Sequence, residues 1–548
     1  MVRFSDPTDM DAGSGHPTHP FSEEGEGHKV KPTGEYSVIA LDKFIQATRD
    51  SGYKGTVSAI SELVDNSLQA LARTISIFIR RSDEETEHSI VIAVLDNGHG
   101  MDAHTLRQSL RFGGSSRFDD RSGLGRYGMG LPNASLSQAR RVEVYSWLEP
   151  GKTLFTYLDL EEIVSGETSR VPSPRRTRLP LWAQTTETSS GTLVVWSQCD
   201  RLENRRISTL EQKLKLALGR VFRYFLWDGV EIDVNGDQII PVDPLYVRQP
   251  SVTAGGEVFA EPLEYEVRAP VPSAKASTGI VTVTFSELPI EDWHSLPNDE
   301  KRRLGITNGA GVSIVRGGRE IDYGWFFLAD KRRENYDDWW RAEIRFEPEL
   351  DELFGITHTK QQVRPQESLI EVLSPDMGDM ARALNARVRQ THLALKTRVQ
   401  ARSAETLAAG KDHHLREIRH RALPEEHQQM AQRLRRRHAS LRETSPTAGN
   451  RDYRIVEDDL GESSFIFPIF DDGRITLVVN PKHRFYKQVY RPLLEGDSRK
   501  PEETLLAMQL LLLSAVRAEI AATSAAERKV IANFRREWSE VLDVLLKP

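Results

Sequence analysis

Between residues 36 and about 245, helix-period patterns alternate with short apolar runs of strand length. The strand candidates are SIVIAVLD (89–96), RVEVYSW (141–147), TLFTYLDL (153–160) and GTLVVWSQ (191–198). Alternation of these two periods predicts helices layered on a sheet, an α/β (α+β) sandwich. The chain has 548 residues, and one core seldom grows past roughly 250–300 residues. We therefore expect several further domains.

The stretch AISELVDNSLQA (59–70) is a helical pattern that carries three polar groups close together. Its polar face consists of Glu62, Asp65, Asn66 and Gln69, and its apolar face of Ile60, Leu63, Val64, Leu68 and Leu71. Taken alone, such a polar stripe predicts only a solvent-facing surface.

A second motif, VLDNGHGM, places Asp96 at the end of an apolar strand candidate, with Gly98, Gly100 and Met101 after it. A carboxylate at a strand end can accept hydrogen bonds from an amino group, and glycines allow the backbone to turn tightly around a flat ligand. A plain Asp-Gly turn explains the pattern equally well.

Two further stretches carry glycines. SGLGRYGMGLPNAS holds Gly123, Gly125, Gly128 and Gly130 just before a helical pattern, and closely spaced glycines can offer backbone N–H groups to a phosphate. SGTLVVW opens a strand candidate with Gly191 and Thr192.

These four stretches, in this order, resemble the N, G1, G2 and G3 boxes of the GHKL ATPases, the group of gyrase, the ninety-kilodalton heat-shock chaperones, histidine kinases and MutL. The resemblance implies a Bergerat-fold ATPase sandwich over residues 35–245, with ATP and Mg²⁺ as ligands. By this resemblance Glu62 is the general base for the attacking water and Asn66 is the Mg²⁺ ligand.

The same resemblance assigns the remaining positions. Asp96 reads adenine with the help of Thr192, while Gly98, Gly100 and Met101 shape the adenine pocket. Gly125, Gly128 and Gly130 form the phosphate-facing end of an ATP lid that begins near Arg111. Histidine kinases share the four boxes, so hydrolysis does not follow from them alone.

A second mixed segment extends to about residue 370, with the strand candidates IVTVTFSELP (280–289) and GVSIVRGGREI (311–321). The pair Gly317-Gly318 predicts a hairpin turn. The later stretch FGITHTKQQVRP is similar to the transducer loop of gyrase, MutL and MORC proteins. Residues 246–370 accordingly resemble a ribosomal-S5-like transducer domain, and Lys360 its γ-phosphate sensor.

Among these groups the chain most resembles MORC-type ATPases and their bacterial relatives over about residues 36–370. The resemblance rests on LRFGGSSRF, DGVEIDVNGDQIIPVDPL, GVSIVRGGREI and THTKQQ. Thr359 stands where MORC proteins more usually carry asparagine. Arg117 and Arg126 depart from their lysine- or asparagine-rich lids.

The C-terminal part is mainly helical, with a basic region (371–450) and a small α/β domain (451–548). Residues 381–442 hold 15 Lys/Arg against 5 Asp/Glu, a balance of +10 in a chain of net charge −7, which leaves −7 − 10 = −17 elsewhere. This segment has enough charge for sequence-independent DNA binding, although a solvated helix explains it nearly as well. FIFPIF-DDG-RITLVV predicts a hairpin, and two leucine-rich helices follow at about 502–522 and 525–545.

Composition limits the compartments and binding sites that we expect for this protein. The single cysteine, Cys199, excludes a disulfide framework and a multi-cysteine zinc site, which favours a reducing, cytoplasmic compartment. The most apolar run, LLAMQLLLLSAV (505–516), is too short to span a bilayer, so we expect no membrane role. Residues 1–34 are interpreted as a flexible arm. The resemblance to GHKL ATPases allows both a free arm and one that reaches a second subunit, and the sequence does not choose between them. NYDDWW (335–340) favours a solvated turn over a metal site, and Lys411-Asp412-His413-His414 favours a surface position.

The leading prediction is an Mg²⁺-dependent ATPase whose two copies close on ATP, with Lys360 coupling hydrolysis to clamping or remodelling of DNA in genome maintenance or defence against foreign DNA. The alternative is a chaperone-like or signalling scaffold acting on an unidentified protein partner. A histidine kinase ranks third, because no phosphoacceptor helix precedes the ATP-binding segment.

Overall fold

The computed structural model describes residues 41–53, 55–82, 90–113, 129–186, 188–268, 278–329, 331–356, 362–418, 425–438, 441, 451–461, 464–471, 473–496 and 499–547. They form three sheets, each with its own helices.

The first sheet has eight strands in the order β5-β4-β3-β6-β2-β1-β7-β8, all antiparallel to their neighbours except the parallel pair β1–β7. Its strands are β1 Thr74–Arg81, β2 Ile90–Asp96, β3 Arg141–Trp147, β4 Leu154–Asp159, β5 Arg175–Arg176, β6 Gly191–Ser197, β7 Glu231–Val234 and β8 Asp237–Gln238. Its helices are α1 Leu41–Ser51, α2 Thr56–Gln69, α3 Ala103–Ser109, α4 Gly130–Gln138, α5 Leu160–Val164, α6 Ile207–Val221 and α7 Arg223–Trp227. The α/β sandwich predicted from the alternating periods is confirmed.

The core of this N-terminal domain lies between the sheet and the helices. In α2, Ile60, Leu63 and Val64 are buried against the sheet as their spacing predicts. The expectation for Leu71 is wrong: α2 ends at Gln69, and Leu71 adopts a left-handed φ of 60° and is 80% exposed. The 3.6-residue period cannot place a residue beyond the end of its helix.

The second sheet has the order β10-β11-β14-β12-β13, with β9 paired to β11. Its strands are β9 Glu257–Val258, β10 Leu263–Arg268, β11 Thr278–Glu287, β12 Val312–Arg316, β13 Arg319–Gly324 and β14 Trp340–Phe346, and its short helices are α8 Ile290–Trp293, α9 Asn298–Arg303 and α10 Asp351–Phe354. Gly317 and Gly318, with φ of 51° and 80°, form the two-residue turn between β12 and β13. Two consecutive positive φ values suit the twist of a tight hairpin, which confirms the predicted turn.

A single long helix, α11 Glu367–Lys411, connects the second sheet to the third. Leu373, Met377 and Leu384 pack in the core of the second sheet, whereas Ala404 packs in the core of the third. The helix thus crosses the domain boundary predicted at residues 370 and 371.

The third sheet has the order β15-β17-β16. Its elements are α12 Glu425–Arg437, β15 Asp452–Glu457, β16 Ile466–Asp471, β17 Arg474–Val479, α13 Arg491–Glu495, α14 Arg499–Ala521 and α15 Ala525–Leu545. The predicted hairpin is the antiparallel pair β16–β17, and Leu505, Leu512 and Leu513 of α14 are buried with it.

Helix α14 is longer than the apolar run noted in the sequence. Within the described ranges, residues 500–521 form one helix that is long and apolar enough to cross a membrane by length and composition. In this fold Arg517, near its C-terminal end, donates to Asp412 Oδ1 over 2.8 Å. Leu505, Leu512 and Leu513 join the core of the third sheet, whereas Leu511 is exposed. One face of α14 therefore packs on the third sheet.

Candidate nucleotide site

Glu62 lies on α2 with only 4% of its surface exposed, so the polar face of this helix does not face solvent as the stripe alone predicted. The Tyr53 hydroxyl, just before the helix, donates to Glu62 Oε2 over 3.0 Å. Burial, followed by the nearby Glu62 charge, raises the pKa of Tyr53 above its usual range, so the hydroxyl stays protonated and remains a donor. Glu62 is therefore held in a fixed rotamer by a neutral partner.

The second oxygen of Glu62 is directed at the start of α4. A Cβ atom placed on Gly130, the first residue of α4, would lie 2.1 Å from Glu62 Oε1, closer than atoms can approach. Only glycine leaves room for the carboxylate at this position. The structure brings Gly130 and Glu62 together, and their proximity gives Gly130 a role in addition to its predicted place in the ATP lid.

Asn66 lies one turn after Glu62 on α2. Among the described residues, the amide nitrogens of Asn66 and of Gln69 are buried without a hydrogen-bond partner. Buried polar groups of this kind usually have a partner, and amide oxygen and nitrogen exchange places by a simple flip. In the flipped orientation the Asn66 amide oxygen would take this unpartnered position, and an oxygen ligand one turn from a carboxylate would suit a hard cation such as Mg²⁺.

Asp96 ends β2 and is 6% exposed. The Ser67 hydroxyl donates to its Oδ2 and the Gly98 N–H to its Oδ1, each over 2.9 Å. Burial raises the pKa of Asp96, while the hydrogen bonds from Gly98 and Ser67 act in the opposite direction. The carboxylate retains acceptor capacity for a ligand N–H.

Ser146 of β3 connects the other predicted adenine-site residues. Its Oγ accepts from Met101 N over 2.8 Å and lies 3.0 Å from Thr192 Oγ1, and Thr192 faces Asp96 in the register of β2 and β6. Gly100 has a φ of +70°, and a Cβ there would lie 2.1 Å from Trp147 O. Asp96, Gly98, Gly100, Met101 and Thr192 thus form one continuous group.

The remaining predicted site residues, which are Gly123, Gly125, Gly128, Lys360 and the lid arginines Arg117 and Arg126, lie outside the described residues. Near the Lys360 segment, Val363 N donates to Asp322 Oδ2 over 3.2 Å, and Arg364 N to Phe354 O over 3.0 Å. The assignments of these residues stay predictions.

Sequence reasoning missed three polar residues of the site, Tyr53, Ser67 and Ser146. Ser67 directly follows Asn66, and Ser146 interrupts the apolar strand β3, so each was visible as a polar residue in a buried element. Tyr53 gave no signal, because its contact with Glu62 depends on how the chain enters α2.

Two acidic stretches are not where the sequence placed them. Asp337 of NYDDWW is fully buried and pairs with Lys331 over 2.5 Å, so this carboxylate is not solvated, although Asn335 of the same turn is exposed. Asp412 is also buried, where it accepts from Tyr453 and Arg517, although His413 and His414 are exposed. A buried carboxylate requires such partners. The described residues contain no group of three or more potential metal ligands of the His, Cys, Asp and Glu types.

Several arginines of the basic segment pair with carboxylates. Arg433 and Arg437 of α12 contact Asp458 over 3.5 and 2.7 Å, and Arg435 contacts Asp471. On α11, Arg387 pairs with Glu287 and Arg389 with Glu334. Part of the local positive charge is therefore compensated by carboxylates in or next to the second and third sheets.

Residues 53–192, which carry Tyr53, Glu62, Asn66, Asp96 and Thr192, match the family described as "Histidine kinase-, DNA gyrase B-, and HSP90-like ATPase". The N-terminal domain of this chain is a GHKL-type domain, and the family is one that binds ATP. The predicted membership of this domain in the GHKL group is confirmed.

Two curated relatives are MORC proteins. The chain is 24% identical over 135 residues to "Protein MICRORCHIDIA 6" of Arabidopsis thaliana, which covers 24% of this chain and 20% of that protein. It is 35% identical over 79 residues to "ATPase MORC2B" of Mus musculus, which covers 14% of this chain and 8% of that protein. The chain thus matches a fifth or less of each relative's length.

One solved structure, "Crystal Structure of N terminal domain of a DNA repair protein", aligns with a TM-score of 0.39 and 15% identity, covering 62% of this chain and 98% of that one.

Proposed function

We propose that this protein hydrolyses ATP with Glu62 as general base and Asn66 as a ligand of Mg²⁺. The observation that carries this proposal is the arrangement on α2: Glu62 is fixed by Tyr53 through one oxygen, its other oxygen faces the start of α4, and the Asn66 amide one turn later is unsatisfied. Phosphoryl transfer to water requires this combination of a positioned base and a metal ligand.

In the proposed reaction Glu62 Oε1 accepts a proton from the attacking water. Tyr53 stays a hydrogen-bond donor to Oε2, so the carboxylate presents Oε1 in one orientation. The N-terminal end of α4 beside Glu62 supplies positive dipole potential that favours phosphate. Bound Mg²⁺, held through Asn66, would neutralise part of the triphosphate charge.

Asp96 would accept a hydrogen bond from the amino group of adenine, with Ser67 and Gly98 holding its two oxygens. Thr192 and Ser146 lie beside it and would fix the polar edge of the base. Met101 N is held by Ser146, which would place the Met101 side chain against the ring.

Phosphate release and nucleotide affinity test this proposal together. A general base contributes about 10²–10⁴-fold to rate, so Glu62→Ala should remove turnover while ATP still binds. Asn66→Ala should abolish the Mg²⁺ dependence of binding. Glu162→Ala is the matched control, because Glu162 also accepts a tyrosine hydroxyl, that of Tyr157, elsewhere in the domain. Equal turnover of Glu62→Ala and wild type would contradict the proposal.

We further propose that two copies close on ATP and that Lys360 couples hydrolysis to movement of the second sheet and the C-terminal part. The resemblance of THTKQQ to the transducer loop of MORC proteins supports this proposal, in which DNA is the clamped substrate. The pairing of Arg433, Arg435 and Arg437 with carboxylates favours the second candidate, a chaperone-like or signalling scaffold acting on a protein client, because paired arginines offer less charge to the phosphates of DNA.

Light scattering tests dimer closure, and DNA binding distinguishes the DNA clamp from the protein-client scaffold. Glu62→Ala should dimerise with ATP and remain monomeric without it, and Lys360→Ala should lower turnover. DNA binding that weakens steeply with salt, and that is lost when the arginines of 433–442 become glutamine, favours the clamp. Replacement of Arg302 and Arg303 by glutamine is the control, because these exposed arginines are also paired with carboxylates but lie outside the basic segment. Absence of DNA binding at every ionic strength favours the protein client.

A further inference from the structure

A buried ion pair joins the helix of the candidate site to the second sheet. Arg319 Nε of β13 donates to Asp65 Oδ1 of α2 over 2.9 Å. The side chain of Asp65 is 0% exposed and that of Arg319 is 6% exposed, although the two residues are 254 positions apart in sequence. Asp65 follows Glu62 by one turn and directly precedes Asn66, so the pair acts on the segment that holds the proposed base and metal ligand.

Arg319 and Asp65 also influence the site electrostatically. The charges of both Asp65 and Arg319 act on the pKa of Tyr53, the residue that fixes Glu62. The Arg319 guanidinium therefore lies close enough to influence the Tyr53–Glu62 pair, although its direct partner is Asp65.

Arg319 belongs to β13 of the second sheet, and the residue next to it is fastened across the same interface to the N-terminal domain. Its neighbour Glu320 accepts from Arg220 over 2.7 Å and from Arg223 over 2.9 Å, and Arg223 also donates to Glu343 over 2.5 Å. Arg319 Nη1 donates in addition to the Glu320 carbonyl over 3.2 Å. The β12–β13 hairpin is thus bound to α6, α7 and β14 at Glu320, the residue next to Arg319.

We propose that Arg319 is a positioning residue for the ATPase site: by holding Asp65 it fixes the rotation of α2 about its axis, and so the places of Glu62 and Asn66, only while the second sheet is docked. This inference rests on the proposed function and deepens it. Turnover would depend on contact between the two domains even where no residue of the second sheet touches ATP.

The variants are chosen to separate positioning from folding. Misplacement of a catalytic group by about 1 Å is able to lower rate about 100-fold. Arg319→Met should therefore lower kcat by about 10- to 100-fold while the affinity for ATP changes less than about threefold. Arg319→Lys, which keeps the charge but not the fork of donors, should recover part of the rate. Asp65→Asn should resemble Arg319→Met, and the double variant should be no slower than either single one.

Arg316→Met is the matched control. Arg316 lies on β12 of the same hairpin and pairs with Asp351 over 2.5 Å with 5% exposure, but both residues belong to the second sheet and its helices. Arg316→Met should lower the unfolding temperature comparably and leave kcat within about twofold. All rates are measured well below the unfolding midpoint of each variant, which is recorded by circular dichroism.

The possible outcomes are distinct. Wild-type kcat in Arg319→Met, or an equal loss in Arg316→Met, overturns the positioning role and leaves the proposed function standing. A wild-type protein without Glu62-dependent hydrolysis overturns the proposed function, and this inference with it. A selective loss of kcat in Arg319→Met and Asp65→Asn, with partial recovery in Arg319→Lys, supports the inference.

Discussion

At position 130 the absence of a side chain leaves room for Glu62, whose Oε1 would lie 2.1 Å from a Cβ atom there. Gly130→Ala must displace the carboxylate, so we expect kcat to fall at least about tenfold with nucleotide affinity nearly unchanged. Gly410→Ala is the control, because a Cβ there meets nothing within 4 Å. Steady-state phosphate release measures both, and wild-type kcat in Gly130→Ala would place the reactive Glu62 rotamer elsewhere.

A second single-residue prediction concerns Asp96 and the affinity for ATP. Its two oxygens accept from a serine hydroxyl and a glycine N–H, and so do those of Asp233, from Ser76 and Gly236. Loss of a hydrogen bond to a charged group costs about 1.5–3 kcal/mol, so Asp96→Asn should weaken ATP binding about 10- to 100-fold.

Asp233→Asn is the control for that measurement, because it changes a carboxylate with matching partners on β7, outside the group of site residues. It should bind ATP as wild type does in a titration with a fluorescent ATP analogue. Equal weakening in the two variants would mean that Asp96 acts only through the stability of the domain.

Among the elements, α11 contains a histidine whose protonation opposes folding. Burial, followed by the nearby His294 and Lys301 charges, lowers the pKa of His392 from 6.5 to about 4. The unfolded chain then binds a proton between these pH values while the folded protein does not, so stability is retained above pH 6.5 and falls as pH decreases toward 4. The ring is partly exposed, so we expect a loss of about 1 kcal/mol.

Thermal unfolding of wild type and His392→Phe at pH 7 and pH 5 measures this effect. The unfolding midpoint should decrease between the two pH values by more in wild type than in the variant, which cannot titrate at this position. His413→Phe, at an exposed histidine, should behave as wild type. Identical pH dependence in wild type and His392→Phe would contradict the assignment.

The elements themselves were largely predictable from sequence. Local signals fixed them: apolar runs of strand length gave β2, β3, β4 and β6 to within about a residue, and Gly317-Gly318 gave a hairpin, since these depend on neighbouring residues alone. The prediction that Leu71 is buried was wrong, because the period of a helical pattern does not indicate where the helix ends. The burial of Asp337 and Asp412 was not predicted, because burial of a charge depends on tertiary contacts with partners, here Lys331 and Arg517.

In the candidate site, too, some residues could be predicted from local motifs and others could not. Residues on one short motif, such as Glu62 with Asn66 or Asp96 with Gly98, were readable because their spacing fixes their geometry. Tyr53 and Arg319 were not, since each reaches α2 through a tertiary contact with no sequence period. Arg319 in particular belongs to another sheet.

For the whole molecule, the contact between the first two sheets centres on Arg223, which is fully buried and pairs with Glu320 and Glu343. Removing one partner of a buried pair costs about 3–5 kcal/mol, so Arg223→Met should lower stability by this amount and let the two domains unfold separately. Arg491→Met is the control, because the exposed Arg491–Glu495 pair contributes about 0–1 kcal/mol. Calorimetry measures both, and a single unchanged transition in Arg223→Met would contradict the prediction.

Helix α11 gives this contact a mechanical consequence. Its 45 residues, at about 1.5 Å each, span roughly 67 Å from the core of the second sheet to that of the third. A rotation of its first turns by about 6° would displace its far end by roughly 7 Å. A change of angle too small to break the packing of the second sheet would therefore become, at the third sheet, a movement as large as the width of a side chain.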